Sequence, residues 1–278
     1  MNEYSVRLRF LAIAFLSGVF SMTIPGYANG AELNVYRLKP VKETVFFLSG
    51  FSIQQTGNYF ISRLTGSNPT SLDRNDVNAI DRFASKYYSK KLSYLSDNTK
   101  DAISGLLLIT SFSLLTDIRK DNVQAFITDM VMFVESETLI IGLTKCAKGL
   151  SRRLRPYAYN TNLSSEMRGS KNASMSFWSG HASLAFTTAV LTGYVFQNRH
   201  PRSRFIKPVW ITGISLATAT SVLRVRSGNH FPSDVIVGAA VGSFVGWIVP
   251  RLHQEKTQSL SLATNVDGTT GLVLLYHF

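Results

Sequence analysis

From residue 102 onward the apolar residues gather into five runs. They are "AISGLLLITSFSLL" (102–115), "AFITDMVMFVESETLIIGLT" (125–144), "ASLAFTTAVLTGYVF" (182–196), "VWITGISLATATSVL" (209–223) and "DVIVGAAVGSFVGWIV" (234–249). Their length, and the polar or basic connections between them, predict an all-α helical bundle. Upstream, "VFFLSGFSIQQTGNYFI" is too polar to count as a further membrane span. Residues 71–100 are polar, with Val77, Ile80, Phe83 and Tyr87 at helical spacing, which predicts an amphipathic helical region. At the C-terminus the period changes: Leu272, Leu274, Tyr276 and Phe278 alternate, and Asp267-Gly268 can turn a short β-hairpin. The chain therefore divides into an N-terminal helical region (31–100), a helical core (101–250) and a tail (251–278).

Residues 1–30 read as a signal peptide. Arg7 and Arg9 precede "FLAIAFLSGVF", and the small residues Ala28 and Gly30 follow. An uncleaved anchor is the alternative, and both direct the chain to or across a membrane. If the five runs cross a bilayer, the basic segments "DIRKD", "NRHPRSRFIK" and "RLHQEK" belong on the cytoplasmic side. Residues 145–181 and 224–234 then share the external face. Gly238, Gly242 and Gly246 form a small-residue stripe for close helix packing. Two features oppose simple spans. The mean hydropathy is only +0.08, and the second run carries Asp129, Glu135 and Glu137. Residues two apart on a helix point about 200° away from each other, so Glu135 and Glu137 cannot share one protected face. A central carboxylate facing lipid costs about 3 kcal/mol or more. Either that helix is surrounded by protein or some of the bundle is not in the bilayer.

Charge narrows the partners. With 29 basic and 17 acidic side chains the net charge is +12, which calls for an anionic partner. An exported chain without a nucleic-acid module is a poor nucleic-acid binder, leaving anionic lipid surfaces and phosphorylated substrates. The single cysteine, Cys146, rules out an intrachain disulfide, a cysteine zinc cluster and a CxxC redox pair.

Three stretches on the predicted external side carry chemistry. "KCAKGLSRRLRPY" places Lys145, Lys148, Arg152, Arg153 and Arg155 together without an acid. "FWSGHASLAF" offers Ser179 as a helix cap, Gly180 for close backbone approach and His181 in the first turn, at a helix start suited to an anion. "LRVRSGNHFPSD" has Pro232 at a helix start and Asp234 four residues after His230, close enough to bond its imidazole and fix the tautomer.

Lys148 through Arg155-Pro156 fits K-x6-R-P, Ser179-Gly180-His181 fits the S-G-H of P-S-G-H, and Arg224, His230 and Asp234 fit the R-x5-H-x3-D of S-R-x5-H-x3-D. In order and spacing the chain resembles the type 2 phosphatidic acid phosphatase and vanadium haloperoxidase superfamily, over residues 102–250. Trp178 stands where that family usually has proline, and Leu223 where it usually has serine. The resemblance implies a metal-independent phosphatase without a cofactor. His230 attacks phosphorus and becomes a phosphohistidine, Asp234 orients it, and His181 protonates the leaving oxygen. Lys148, Arg155, Arg224, Ser179 and Gly180 hold the phosphate oxygens. Lys145, Arg152 and Arg153 match no motif position and are assigned to substrate or membrane headgroups.

The resulting expectation is a phosphatase of a lipid phosphomonoester or pyrophosphate, of the phosphatidic acid, phosphatidylglycerol phosphate, undecaprenyl pyrophosphate or lipid A type. It would sit in a bacterial inner membrane with its site facing the periplasm. A soluble periplasmic acid phosphatase, a vanadate haloperoxidase, and a transporter lined by Asp129, Glu135 and Glu137 are the alternatives.

Overall fold

The structure, a computed structural model, describes residues 35–67, 72–116, 120–254, 258–264 and 270–276. The expected signal peptide lies outside these residues, as does the Asp267-Gly268 turn. The long helices are α1 (Pro40–Ser62), α2 (Lys90–Phe112), α3 (Lys120–Ser151), α4 (Gly180–Arg199), α5 (Ile206–Arg226) and α6 (Pro232–His253). The segment judged too polar to span is thus a full helix, α1. It starts at Pro40, whose missing N–H costs nothing there. Residues 72–89 fold as short helical turns rather than one long helix, with the one-turn helix Ala79–Arg82 capped by the Asn78 side chain. Ser89 caps α2, and α2 is continuous through residue 100, where the N-terminal region was expected to meet the core.

Helices α4 and α6 form the centre, flanked by α5 and α3; α2 lies on α5, and α1 lies along α3. The glycine stripe of α6 explains the central contact. A Cβ at Gly242 would run into the Ser183 carbonyl and one at Gly246 into the Thr187 carbonyl, both on α4. The close approach also lets the Thr187 hydroxyl donate to the Gly242 carbonyl at 3.0 Å. Gly57 lies against Lys145 and Gly149 against Phe60, so α1 runs parallel to α3 in tight contact. Leu107, Met132, Ile140, Leu191, Val245 and Val249 bury a shared core.

The three acids of the second apolar run each face a neighbouring helix. Asp129 takes two bonds from the Arg199 Nε (2.9 and 3.1 Å) and one from Nη2 at 2.5 Å. Glu137 accepts from the Thr188 hydroxyl at 2.9 Å, and Glu135 faces His253. Neighbours on two sides of α3 thus meet these acids, while Ile127 and Val134 stay exposed, which resolves the conflict posed by residues pointing about 200° apart. Beyond α6, β1 (Gln258–Thr264) and β2 (Thr270–Tyr276) pair antiparallel, with Gln258 opposite Tyr276 and Thr264 opposite Thr270.

Candidate active site

Helix polarity brings the motif residues to one end of the bundle. Lys148 lies in the last turn of α3, and the chain then reverses at Arg152, which adopts φ 50°. A short 3-10 turn, Pro156–Tyr159, follows Arg155. Ser179 caps α4, accepting from the Ala182 N–H at 3.4 Å, so Gly180 and His181 sit at a helix start. Arg224 closes α5. Gly228 turns the chain with φ 73°, a conformation open to glycine, under the Tyr87 carbonyl. The chain then presents His230 immediately before α6.

His230 is fully buried. Its Nδ1 stands 2.8 Å from the Ser176 carbonyl oxygen. A carbonyl only accepts, so Nδ1 carries the proton and Nε2 keeps its lone pair. Burial, then the positive charges of Arg155, Arg224 and Lys148, hold the imidazole well below its ordinary pKa. The imidazole is therefore neutral at neutral pH. Lys148 is itself lowered to about 7, by burial and then by Arg155 and Arg224. Each cation destabilises the next until an anion arrives.

Asp234 does not bond the imidazole as expected. Its Oδ2 is 3.8 Å from His230 Nδ1. Instead the carboxylate accepts from the Ser176 hydroxyl (2.5 Å), the Phe231 N–H (2.9 Å) and Arg153 Nη1 (2.5 Å). The i,i+4 spacing brings the two groups near, but α6 starts at Pro232 and spends Asp234 on its own cap. Ser176 takes the intermediate place, with its hydroxyl on Asp234 and its carbonyl on His230.

Arg153 also departs from expectation. Rather than facing headgroups, its guanidinium stacks over the Phe231 ring at 4.6 Å. It joins Asp234 to Asp81 (2.7 Å) and donates to the Ser233 hydroxyl (2.8 Å). Asp81 in turn accepts from the Ser233 N–H (3.0 Å) and hydroxyl (2.6 Å) and from Asn78 (2.8 Å). Burial acts to raise the Asp81 pKa, but the bonds from Ser233, Arg153 and Asn78 outweigh it and hold it low. Arg152, one residue earlier, is exposed as expected.

His181 has a partner absent from the motifs: its Nε2 is 2.7 Å from Asp97 Oδ1 on α2. The same oxygen lies 4.0 Å from Arg224 Nη1. Burial lowers the His181 pKa to about 4, the Asp97 bond opposing it and Arg224 assisting. Asp97 is held low, first by the bond from His181. Arg224 is anchored by Ser93 (3.0 Å) and Ser96 (3.3 Å), and Arg155 by Asn229 (3.0 Å) and Asn172 (3.2 Å).

Arg155 Nε, Arg224 Nε and His230 Nε2 are buried without a hydrogen-bond partner. Buried polar atoms are normally paired, so two planar donors and one nucleophilic lone pair left over at one place describe an anion-binding reaction site. Gly180 borders it: a Cβ there would meet Thr144 Cγ2 at 3.2 Å and Lys148 Nζ at 3.6 Å. Asp81, Asp97, Arg153 and Ser176 were not anticipated. Arg153 was visible only as one of a basic run, and the two aspartates sit in a polar stretch with no spacing to mark them.

Residues 129–258 match the PAP2 superfamily. The lipid A 1-phosphatase of Porphyromonas gingivalis is 31% identical over 110 residues, covering 37% of this chain and 23% of that protein. The lipid A 4'-phosphatase of Bacteroides thetaiotaomicron is 30% identical over 102 residues, 37% of this chain and 42% of that one. The chain thus spans less than half the length of these curated relatives. Among solved structures, a transmembrane PAP2 type phosphatidylglycerolphosphate phosphatase from Bacillus subtilis aligns with TM-score 0.44 and 20% identity, over 73% of this chain and 94% of that one.

Proposed function

We propose that this chain, which belongs to the PAP2 superfamily, hydrolyses the phosphate ester of a membrane lipid through a phosphohistidine formed on His230. The convergence of the three unpaired nitrogens of Arg155, Arg224 and His230 carries this reading. A phosphate oxygen pair satisfies the two guanidinium edges, and phosphorus then lies before the His230 lone pair. As Nε2 attacks, the ester oxygen leaves and takes a proton from His181. The ring of His230 becomes cationic, and the Ser176 carbonyl and the nearby Asp234 carboxylate stabilise it. Water then attacks the phosphohistidine with His181 as base, releasing phosphate and restoring His230. An arriving phosphate brings negative charge, which raises the depressed pKa of both His181 and Lys148 and so charges the site for the reaction.

Among the described residues two helices, α5 and α6, are long and apolar enough to cross a bilayer, and less than half of each apolar window is buried inside the protein. Ile211, Ile236 and Phe244 are among the side chains left on that surface. These features support a membrane protein, with the catalytic end facing the periplasm as the basic connections argue. The two relatives named as lipid A phosphatases favour a lipid A phosphomonoester over the other lipid phosphates. The deciding experiment measures phosphate release by detergent-purified protein from lipid A, phosphatidic acid, phosphatidylglycerol phosphate and undecaprenyl pyrophosphate beside p-nitrophenyl phosphate. Acid-labile, base-stable label on wild type and none on His230→Ala supports the reading. Turnover confined to the soluble ester would overturn the lipid assignment, and label on another residue the nucleophile.

A further inference from the structure

Glu43 in the first turn of α1, Glu135 midway along α3 and His253, the last residue of α6, meet at the end of the bundle away from the site above. Thirteen residues of α3 separate Glu135 from Lys148, about 20 Å of helix. His253 Nδ1 stands 2.8 Å from the Val249 carbonyl oxygen, so its N–H is committed there. The remaining nitrogen, Nε2, is 2.8 Å from Glu43 Oε2 and 3.2 Å from Glu135 Oε2. Glu135 is only 5% exposed, and neither of its oxygens has a hydrogen-bond partner.

A lone pair aimed at two carboxylates is repulsive unless positive charge lies among them. One proton on Nε2 points along one line and serves Glu43, which leaves buried Glu135, 3.2 Å away, without a hydrogen bond. Lys42, beside Glu43, donates to the Leu252 carbonyl at 2.7 Å. A doubly charged cation satisfies all three donors together. The three ligand atoms lie within 4.8 Å of one another. Around a zinc ion with bonds of about 2.0–2.2 Å, tetrahedral ligands sit about 3.3 Å apart, so the two edges from His253 Nε2, 2.8 and 3.2 Å, need to open by about half an ångström or less. The Nδ1–carbonyl bond is how metal-binding histidines are commonly oriented. A cavity of about 540 Å³ reaches both Glu43 and Glu135 past Phe47, Phe126 and Met130. It supplies an access path and room for a water ligand.

We propose that Glu43, Glu135 and His253 bind one divalent transition-metal cation, with zinc as the best fit to one imidazole and two carboxylates. The ion fastens α1, which lies outside the PAP2-matched residues, to Glu135 of α3 and His253 of α6 within them. It takes no part in phosphoryl transfer at the other end.

The test titrates the detergent-purified full chain, stripped with EDTA and dialysed, with Zn²⁺ alone by calorimetry and by thermal melting. Wild type binds one Zn²⁺ per chain and melts higher with it. Glu43→Gln and Glu135→Gln each weaken binding about a hundredfold or more and lose the shift in melting, whereas His230→Ala binds as wild type does. Glu43 is partly exposed, so its variant keeps the test available should Glu135→Gln fail to fold. Three results would each overturn the site: no binding by wild type at millimolar Zn²⁺, binding unchanged in both glutamine variants, or binding lost in His230→Ala. Phosphatase activity plays no part in this readout.

Discussion

Helix α6 has a histidine at each end, and the two are held alike. His230 gives its Nδ1–H to the Ser176 carbonyl, and His253 gives its own to the Val249 carbonyl, both at 2.8 Å. In each case Nε2 is left to act. Around His230 it faces Arg155, Arg224 and Lys148; around His253 it faces Glu43 and Glu135. A neutral hydrogen bond is worth about 1 kcal/mol, while a unit charge about 4 Å away at an effective dielectric near 20 is worth about 4 kcal/mol. The surrounding charge therefore outweighs the tautomer in deciding chemistry. Burial and the cations hold one imidazole unprotonated, as the proposed attack on phosphate requires, and the carboxylates around the other suit the cation proposed there.

The strongest way to break this contrast is to exchange the expected losses. His230→Ala should reduce kcat by about four orders of magnitude or more, as loss of a covalent nucleophile does. His253→Ala should leave the phosphoenzyme and kcat within about threefold, its effect falling on thermal stability instead. Equal catalytic losses, read by steady-state kinetics on folded protein, would erase the distinction.

The next effect sharpens the support behind His230. Arg153→Ala leaves Asp81 and Asp234 facing each other without their shared cation, and a lost charge partner in a buried network costs about 3–5 kcal/mol. Arg153 is about a quarter exposed, so about half that is the better expectation. A loss of that size in the transition state should lower kcat about thirtyfold on p-nitrophenyl phosphate, a soluble ester that needs no headgroup contact. Arg152→Lys should change that rate less than twofold. Equal responses would return Arg153 to the surface role that its neighbour keeps.

A smaller change concerns His181. Asp97 raises the His181 pKa against burial, so Asp97→Asn removes that support and the imidazole protonates less readily. The alkaline limb of the kcat profile should move to lower pH, with about a tenfold loss near pH 8, in the range of general acid–base contributions. An unshifted limb with a uniform loss would assign Asp97 to structure alone.

The smallest effect is on stability. His181 titrates at about 4 in the fold against 6.5 ordinarily, and His230 is lowered as well. The unfolded chain thus takes up protons first. The histidine contribution to stability is complete above about pH 6.5 and is lost as pH falls toward 4. The ligand-free protein should melt lower at pH 5 than at pH 7, and inorganic phosphate should narrow the gap by restoring negative charge among the cations. A melting point independent of pH would mean the histidines are not held neutral.

The linear chain determined what its local patterns can encode. Apolar runs set where helices α2 to α6 carry their cores, and the glycine series Gly238, Gly242 and Gly246 set a packing face. The spacing of Lys148, Arg155, His181, Arg224, His230 and Asp234 sufficed to bring them to one end, because alternate helices reverse direction. Packing alone decided which groups meet across the chain. Asp97 reaches His181 from 84 residues away and Asp81 reaches Arg153 from 72, and Glu43 meets His253 across 210. No period or spacing marks such partners, since they depend on how far one helix slides and turns against another. Asp234 shows the same limit at short range. Four residues from His230, it was near enough to bond, yet the start of α6 and the arrival of Ser176 and Arg153 took its oxygens first.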